Sequence, residues 1–382
     1  MRFFILAARE HRMAKKHFKD ASCDHCGTNH HATVQRGLTL QQKTFVALAL
    51  ATAALLLGPV VLGWEPLSYT GEMAYHVLLG AWNYAAPALP WVVLGIVLGG
   101  LSMEFIPRRW FAQELGGTDA ATVAKASLLG VFFDVCSHGA LAIGVSLYRS
   151  GASVAATVTF LLATPWLGIV EMFLLIALLG WKATVAVIVT SIIAANIIGI
   201  VIGFIERRGW IETHSRAARG KRVNLRSDAA QRLRAFKLSM LPSRLVSSLY
   251  RGWDLFAMIG GWIVAGFIMT GLVTAFLSPE MVSALMGYAS VTALPFTALV
   301  AALVEVCSEG SVPLVAALRD MGASMGAVFV FLMAGVATDI AEIGTLAEVI
   351  GKRAAVATLV VAVTVSIALG YALNFVWLAL GF

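Results

Sequence analysis

The chain carries a succession of apolar runs long enough to cross a bilayer, and this restricts its fold more than any other feature. Runs at about residues 45–64, 74–106, 120–147, 153–181 and 183–205 precede a polar stretch, and apolar sequence resumes from about 253 to the C-terminus. About 20 apolar residues make one helical crossing, and backbone polar groups inside lipid must be paired within the protein. Only 13% of the 382 residues are charged and 59% are hydrophobic, whereas soluble domains carry about 25% charged residues. A soluble enzyme, a nucleic-acid binder and a disordered chain are excluded. The expected fold is an all-α polytopic membrane protein whose surroundings are the lipid bilayer.

The membrane sequence is duplicated. An ungapped shift of 171 positions sets Trp82 on Trp253, Trp91 on Trp262, Gly95 on Gly266 and Gly100 on Gly271. It also sets Asp134-Val-Cys136-Ser-His138-Gly against Glu305-Val-Cys307-Ser-Glu309-Gly, and Glu171 against Glu342. Coincidences of Leu, Ala and Gly are common in membrane sequences, but matched Trp, Cys and Glu at one offset are not. The organisation expected is a His/Cys-rich cytoplasmic tail (1–41), an extra transmembrane helix (42–66), repeat 1 (74–206), a basic cytoplasmic connector (207–248) and repeat 2 (249–382). The opening segment has too short an apolar core for a signal peptide, so the tail is read as retained.

Charge argues for the orientation of the copies. The net charge is +7, and Lys and Arg gather in 2–43 and 206–251, as in segments held on the cytoplasmic side. If every apolar run crossed once, the basic connector would fall outside. The conflict disappears if residues 120–150 enter and return on one side, with Gly139 giving the turn. Each half then has three crossings and one re-entrant or broken element. An odd number makes the copies inverted, with a site where they meet near the midplane. Ala163-Thr164-Pro165 and the matched Ala334-Gly335 are expected to interrupt the helices there. Arg319 and Lys182 fall on the outer side in this scheme.

Ionisable side chains inside a membrane are expensive and point to function. Asp134, Glu171, Glu305, Asp339 and Glu342 are therefore candidates for a pathway or for coupling to protons. No equal set of intramembrane Lys or Arg balances them, which favours a cationic or proton-linked path. If the repeats bring their turns together, Cys136, His138, Cys307 and Glu309 form a four-ligand set suited to zinc, cuprous copper or another thiophilic ion. Buried cysteines also serve as small packing residues, and that reading stays open. In the tail, Cys23-Asp-His25-Cys26 followed by His30 and His31 has chelating spacing, so Cys23, Cys26, His30 and His31 are candidate ligands for zinc or copper.

The paired elements CSHGALAIGVSLYRSGASVAATVTFLLATP and CSEGSVPLVAALRDMGASMGAVFVFLMAG resemble the predicted-permease family that includes the organoarsenical efflux permease ArsP. The resemblance covers roughly residues 80–375 and omits the tail. It implies an inner-membrane efflux permease that moves trivalent organoarsenicals or soft metal ions through membrane cysteines, here Cys136 and Cys307. Where the family often reads Cys-Ser-Cys-Gly, this chain has His138, and where it often reads Pro-Ala-Thr-Asn, this chain has Val336-Ala337-Thr338-Asp339. Those departures weaken the case for methylarsenite and strengthen that for a divalent cation.

The function expected is secondary-active export of a thiophilic metal ion or organometalloid, coupled to protons, conferring a trait such as arsenic resistance. No Walker-type sequence is present, no cofactor is required, and the partners are the substrate, protons and lipid. The rival readings are a membrane thiol-redox enzyme using Cys136 and Cys307, and a non-transporting scaffold.

Overall fold

In the computed structural model the described residues are 69–105, 115–130, 137–149, 151–212, 241–304 and 308–381. They contain helices and no strand. The calls on the extra helix at 42–66 and on the tail lie outside them.

The first half of the chain forms α1 (Tyr69–Phe105), α2 (Ala120–Leu129), α3 (Ser137–Arg149), α4 (Val154–Leu167) and α5 (Ile169–Arg207). The second half forms α6 (Leu241–Phe276), α7 (Pro279–Met286), α8 (Ala293–Val304), α9 (Ser308–Asp320), α10 (Met325–Thr338), α11 (Ile340–Val349) and α12 (Lys352–Ala379). The 171-residue shift carries α3 onto α9 and α4 onto α10 residue for residue. Their turns match as well. Gly151 (φ 104°) and Gly322 (φ 102°) occupy the left-handed region. Ser153 and Ser324 then cap α4 and α10, each accepting from a backbone N–H at 3.1 Å, that of Ala156 or Ala327.

α5 is not one rod. Thirty-nine residues would make about 58 Å of helix, twice the apolar thickness of a bilayer. Gly180, at φ 78° and ψ 162°, breaks it. The matched Gly351, at φ 149° and ψ 157°, separates α11 from α12. Such a conformation strains any residue with a Cβ. The part of α5 beyond Gly180, called α5b below, therefore corresponds to α12, and the part before it, α5a, to α11.

Small residues set how these helices cross. A Cβ on Gly199 would fall 1.9 Å from the Thr159 hydroxyl oxygen, and one on Gly203 would fall 3.2 Å from the Ala155 Cβ. α5b thus runs antiparallel against α4. α12 runs antiparallel against α10 in the same way, through Gly326 against Gly370 and Asn374, and Gly370 against Val330. Between the halves, a Cβ on Gly100 would meet Ser248 O at 2.4 Å, and one on Gly271 would meet Val77 O at 2.0 Å. Each of these contacts becomes the other under the 171 shift, and together they make α1 and α6 antiparallel. Backbone approach of this kind is how helices associate in lipid.

Both short-helix pairs return to where they started. Ser153 at the end of α3 donates its N–H to Leu115 O at 2.9 Å and its hydroxyl to Gly117 O at 2.7 Å, both just before α2. The matched Ser324 N–H donates to Met286 O at 2.9 Å. Every residue of α4 is buried, as is nearly all of α10. A helix apolar all round belongs in a core, and these two form it. Exposed apolar side chains such as Val93, Val185, Val189, Val356 and Val360 stand on α1, α5b and α12. Three described stretches are long and apolar enough to cross a membrane: Tyr75–Leu98, Ile169–Arg207 and Lys352–Ala379. Two bent pairs, Ile263–Phe276 with Pro279–Met286 and Met325–Thr338 with Ile340–Val349, bring the number to as many as five.

Two expectations about chain breaks are corrected. Gly139 and Gly310 lie inside α3 and α9, and both of those helices begin before the glycine. Pro165 and Gly335 lie within α4 and α10, and the breaks fall later, at Gly168 (ψ 145°) and Asp339 (ψ 122°). Pro165 sits in the last turn of α4. The helix survives the lost hydrogen bond for two residues, and the Thr164 hydroxyl meanwhile donates to Phe160 O at 2.6 Å.

Candidate functional site

Three features lie close together in each repeat: a short-helix pair, a helix break, and an acid just after that break. In repeat 2 the first turn of α9 holds Glu309, buried and accepting from the Ser308 hydroxyl at 3.0 Å. That turn is seated on α6, where a Cβ at Gly266 would lie 2.3 Å from Gly310 O and 2.4 Å from Gly310 Cα. In repeat 1 the equivalent helix α3 starts at Ser137, so His138 lies in its first turn. The hairpins also rest beside the breaks in a matched way, with Gly130 against Thr164 and Ala301 against Gly335.

The breaks form local caps. Asp339 accepts from the N–H groups of Ala341 at 2.8 Å and Glu342 at 3.3 Å, so its side chain starts α11. Gly168 occupies the matched position in repeat 1 and has no side chain to do the same. Glu171 and Glu342 stand in the first turns of α5a and α11 and are buried. Helix N-termini carry partial positive charge that favours a carboxylate there.

Of the sequence candidates, Asp339 and Glu342 are brought together, Glu171 and Glu309 are buried, and the backbone of His138 opens a helix. Asp134, Cys136, Glu305 and Cys307 lie outside the described residues, in the segments joining α2 to α3 and α8 to α9. The tail ligands Cys23, Cys26, His30 and His31 lie outside them too. Among the described residues, which contain no cysteine, no three His, Cys, Asp or Glu side chains are grouped to hold a metal ion.

The profile of a predicted-permease family, ArsP_1, matches residues 77–375. The match starts in α1 and ends in α12, taking in both repeats. The chain belongs to this permease family. Membership makes it a multi-pass membrane protein of transporter type. No curated protein and no solved structure matches the chain.

The permease also uses polar residues that the sequence did not single out. Tyr84 on α1 donates its hydroxyl to Asp320 at the end of α9 at 2.7 Å. Glu206 accepts from the N–H groups of Val154 and Ala155 at 3.3 and 3.0 Å, and Asn374 accepts from Gly326 N–H at 2.6 Å. These two residues close the starts of α4 and α10 from different positions, so the repeat comparison does not pair them. Beyond α5b, Glu212 accepts from the N–H groups of Arg353 and Ala354 at 3.3 and 3.1 Å and caps α12. Backbone hydrogen bonds, from its own N–H first and then those two, hold its carboxyl below the usual range. Thr358 on α12 is buried, and no hydrogen-bond partner for its hydroxyl is found among the described residues.

Proposed function

We propose that this permease is an inner-membrane secondary-active exporter of a thiophilic metal ion or organometalloid, driven by proton exchange. The observation that carries the reading is the buried Glu309 in the first turn of α9, seated on Gly266, with Cys307 two residues before it in sequence and Cys136-Ser-His138 at the matched position. Two thiolates, an imidazole and a carboxylate are a donor set for a soft or borderline cation.

The two repeats are read as inverted. The antiparallel course of the matched helices α1 and α6 supports this. So does Glu212, which follows α5b and caps the start of α12, putting the end of one matched helix beside the beginning of the other. Each repeat then crosses three times, by α1, α4–α5a and α5b or by α6, α10–α11 and α12. The α2–α3 and α8–α9 hairpins enter from opposite sides. Broken helices are tolerated in lipid where they line a cavity or are buried in protein, and substrate sites of such transporters lie where the repeats meet.

The roles follow. Cys136, His138, Cys307 and Glu309 hold the cation. Asp134, Glu305, Asp339 and the buried Glu171 and Glu342 supply the acidic path and the proton. In the tail, Cys23, Cys26, His30 and His31 capture metal (zinc or copper fits that set) and raise its concentration at the entrance.

The test is uptake into everted vesicles of zinc, cuprous copper, cadmium and trivalent arsenicals. Cys136→Ser and Cys307→Ser should each abolish uptake of the transported species at normal expression, because a hydroxyl is a poor substitute for thiolate. Deleting residues 1–40 should weaken apparent affinity and spare maximal flux. Normal uptake by both serine variants would refute the cysteine site.

A further inference from the structure

One narrow crevice lies between the repeats beside Glu342. Val158, Leu161 and Leu162 of α4 form one wall, and Ala337, Ile343, Leu346 and Thr358 of α10, α11 and α12 form the other. Two oxygens in this apolar lining stand out. Glu342 is 5% exposed, and its Oε2 is buried with no hydrogen-bond partner among the described residues. Thr358 is 3% exposed, and its Oγ1 is in the same condition. Other buried threonines return their hydroxyls to a carbonyl four residues back, as Thr157, Thr159, Thr164 and Thr297 do. Thr358 does not.

The 171 shift shows that repeat 1 lacks this arrangement. Glu171 matches Glu342, but Trp166 stands for Ala337, Val187 for Thr358, Phe329 for Val158 and Met333 for Leu162. Trp166 and Phe329 are among the largest fully buried side chains of the protein. Position for position, an indole stands where repeat 2 has a methyl group, and the hydroxyl is gone.

We infer that the two matched glutamates have different jobs: Glu342, with Thr358 beside it, is the proton-exchanging carboxylate, and Glu171 is not. The inference rests on the proton-coupled reading above and narrows it to one side chain. The crevice has no room for a water molecule and offers two oxygens, whereas hard metal cations want about six. A proton needs one oxygen and no coordination shell; it is taken from water and given back to water when the crevice opens. It would bind Glu342 Oε2; neither that oxygen nor Thr358 Oγ1 has a hydrogen-bond partner among the described residues, so a turn of one side chain brings the carboxyl O–H onto the Thr358 hydroxyl, to which it then donates. On release it leaves a carboxylate at the N-terminus of α11. The crevice walls from α4, α10 and α12 hold no titratable group. The ionisable residues on the elements packed against α11 are Asp339 in the break, His138 and Arg149 on α3, and Lys352 and Arg353 at the start of α12. Glu348 lies on α11 itself. Asp339 stands three residues before Glu342 and accepts from its backbone N–H at 3.3 Å.

The experiment is pH-difference infrared spectroscopy on the full chain in liposomes, reading the C=O band of protonated buried carboxyls. Monodispersity in detergent checks that each variant is folded. The band should vanish in Glu342→Gln, move in Thr358→Val, which tests the site without removing the acid, and persist in Glu171→Gln. A band that persists in Glu342→Gln, vanishes in Glu171→Gln or ignores Thr358→Val overturns the inference. Metal flux is measured in parallel at several pH gradients. Flux indifferent to the gradient, with the Glu342 band intact, would refute proton coupling and leave the titrating site standing.

Discussion

The seat of α9 on α6 gives the most direct test of this geometry. Gly266→Ala adds one methyl group at a point 2.3 Å from the Gly310 carbonyl oxygen and 2.4 Å from its Cα. Ordinary contact begins near 3.4 Å, so the first turn of α9 must retreat by about 1 Å. The obstacle is backbone, which cannot rotate aside as a flexible side chain would. Overpacking of this kind costs about 1–3 kcal/mol, while replacing Gly by Ala within a helix returns about 1 kcal/mol. The net loss is between zero and about 2 kcal/mol, and thermal unfolding in nanodiscs should fall by a few degrees at most. Transport should suffer far more, because the segment displaced carries Glu309 and adjoins Cys307. We expect at least a tenfold loss of flux. Gly344→Ala is the control, since nothing lies within 4 Å of a Cβ there, and it should keep its flux and match or exceed the native unfolding temperature. Gly266→Ala at native flux and native unfolding temperature would show that α9 is not seated on α6.

Other expectations follow from the same contacts. Ser153→Ala and Ser324→Ala each remove a helix cap and should cost about 1 kcal/mol. Each hydroxyl makes one further bond, Ser153 donating to Gly117 O at 2.7 Å and Ser324 accepting from Asn374 Nδ2 at 3.1 Å, so the two losses should be similar, and thermal unfolding of the two variants makes the comparison. In a cysteine-free background an impermeant thiol reagent applied to intact cells should label Ser278→Cys and leave Gly220→Cys unlabelled. Ready labelling at 220 would contradict the inverted arrangement. Glu212 is held ionised in the folded state, with its pKa depressed. Its contribution is therefore present at neutral pH and lost as pH falls through that lowered folded-state value. Glu212→Gln should unfold at lower temperature than the native chain at neutral pH, with the gap closing in strong acid.

The periodic part of this architecture was legible because duplication doubles every signal. Gly151-Ala-Ser and Gly322-Ala-Ser stand at matched positions of the two repeats, and both make turns with nearly equal φ. The return of residues 120–150 to their starting end was inferred from charge alone, and the Ser153 bonds to Leu115 and Gly117 show the two ends together. The exact break points were not legible. Proline is the stronger sequence signal, but its penalty at Pro165 is small in a last turn, whereas Gly168 and Asp339 stop their helices by extended ψ angles that composition does not announce. Gly139 read as a turn, yet it lies inside α3, and its match Gly310 is there for close approach to Gly266. That role depends on a helix some 40 residues away and leaves no local mark.

Repetition also hides what differs between the copies. Matching Glu171 to Glu342 gave both the same weight, since each is an acid in an apolar run at an equivalent place. What separates them is the lining: Trp166 against Ala337 and Val187 against Thr358. Each is an unremarkable substitution in a membrane helix, and the two matter only because they meet around one carboxylate. A transporter that alternates between two faces needs its halves alike enough to exchange conformations, but a single exchanged proton needs a carboxylate in only one of them. If the proposed proton exchange holds, symmetry in the helices with asymmetry in four side chains would meet both demands. The same logic applies to His138 and Glu309, matched in position and different in chemistry: in the proposed cation site the repeat would provide two equivalent positions, and the substitution would set an imidazole against a carboxylate.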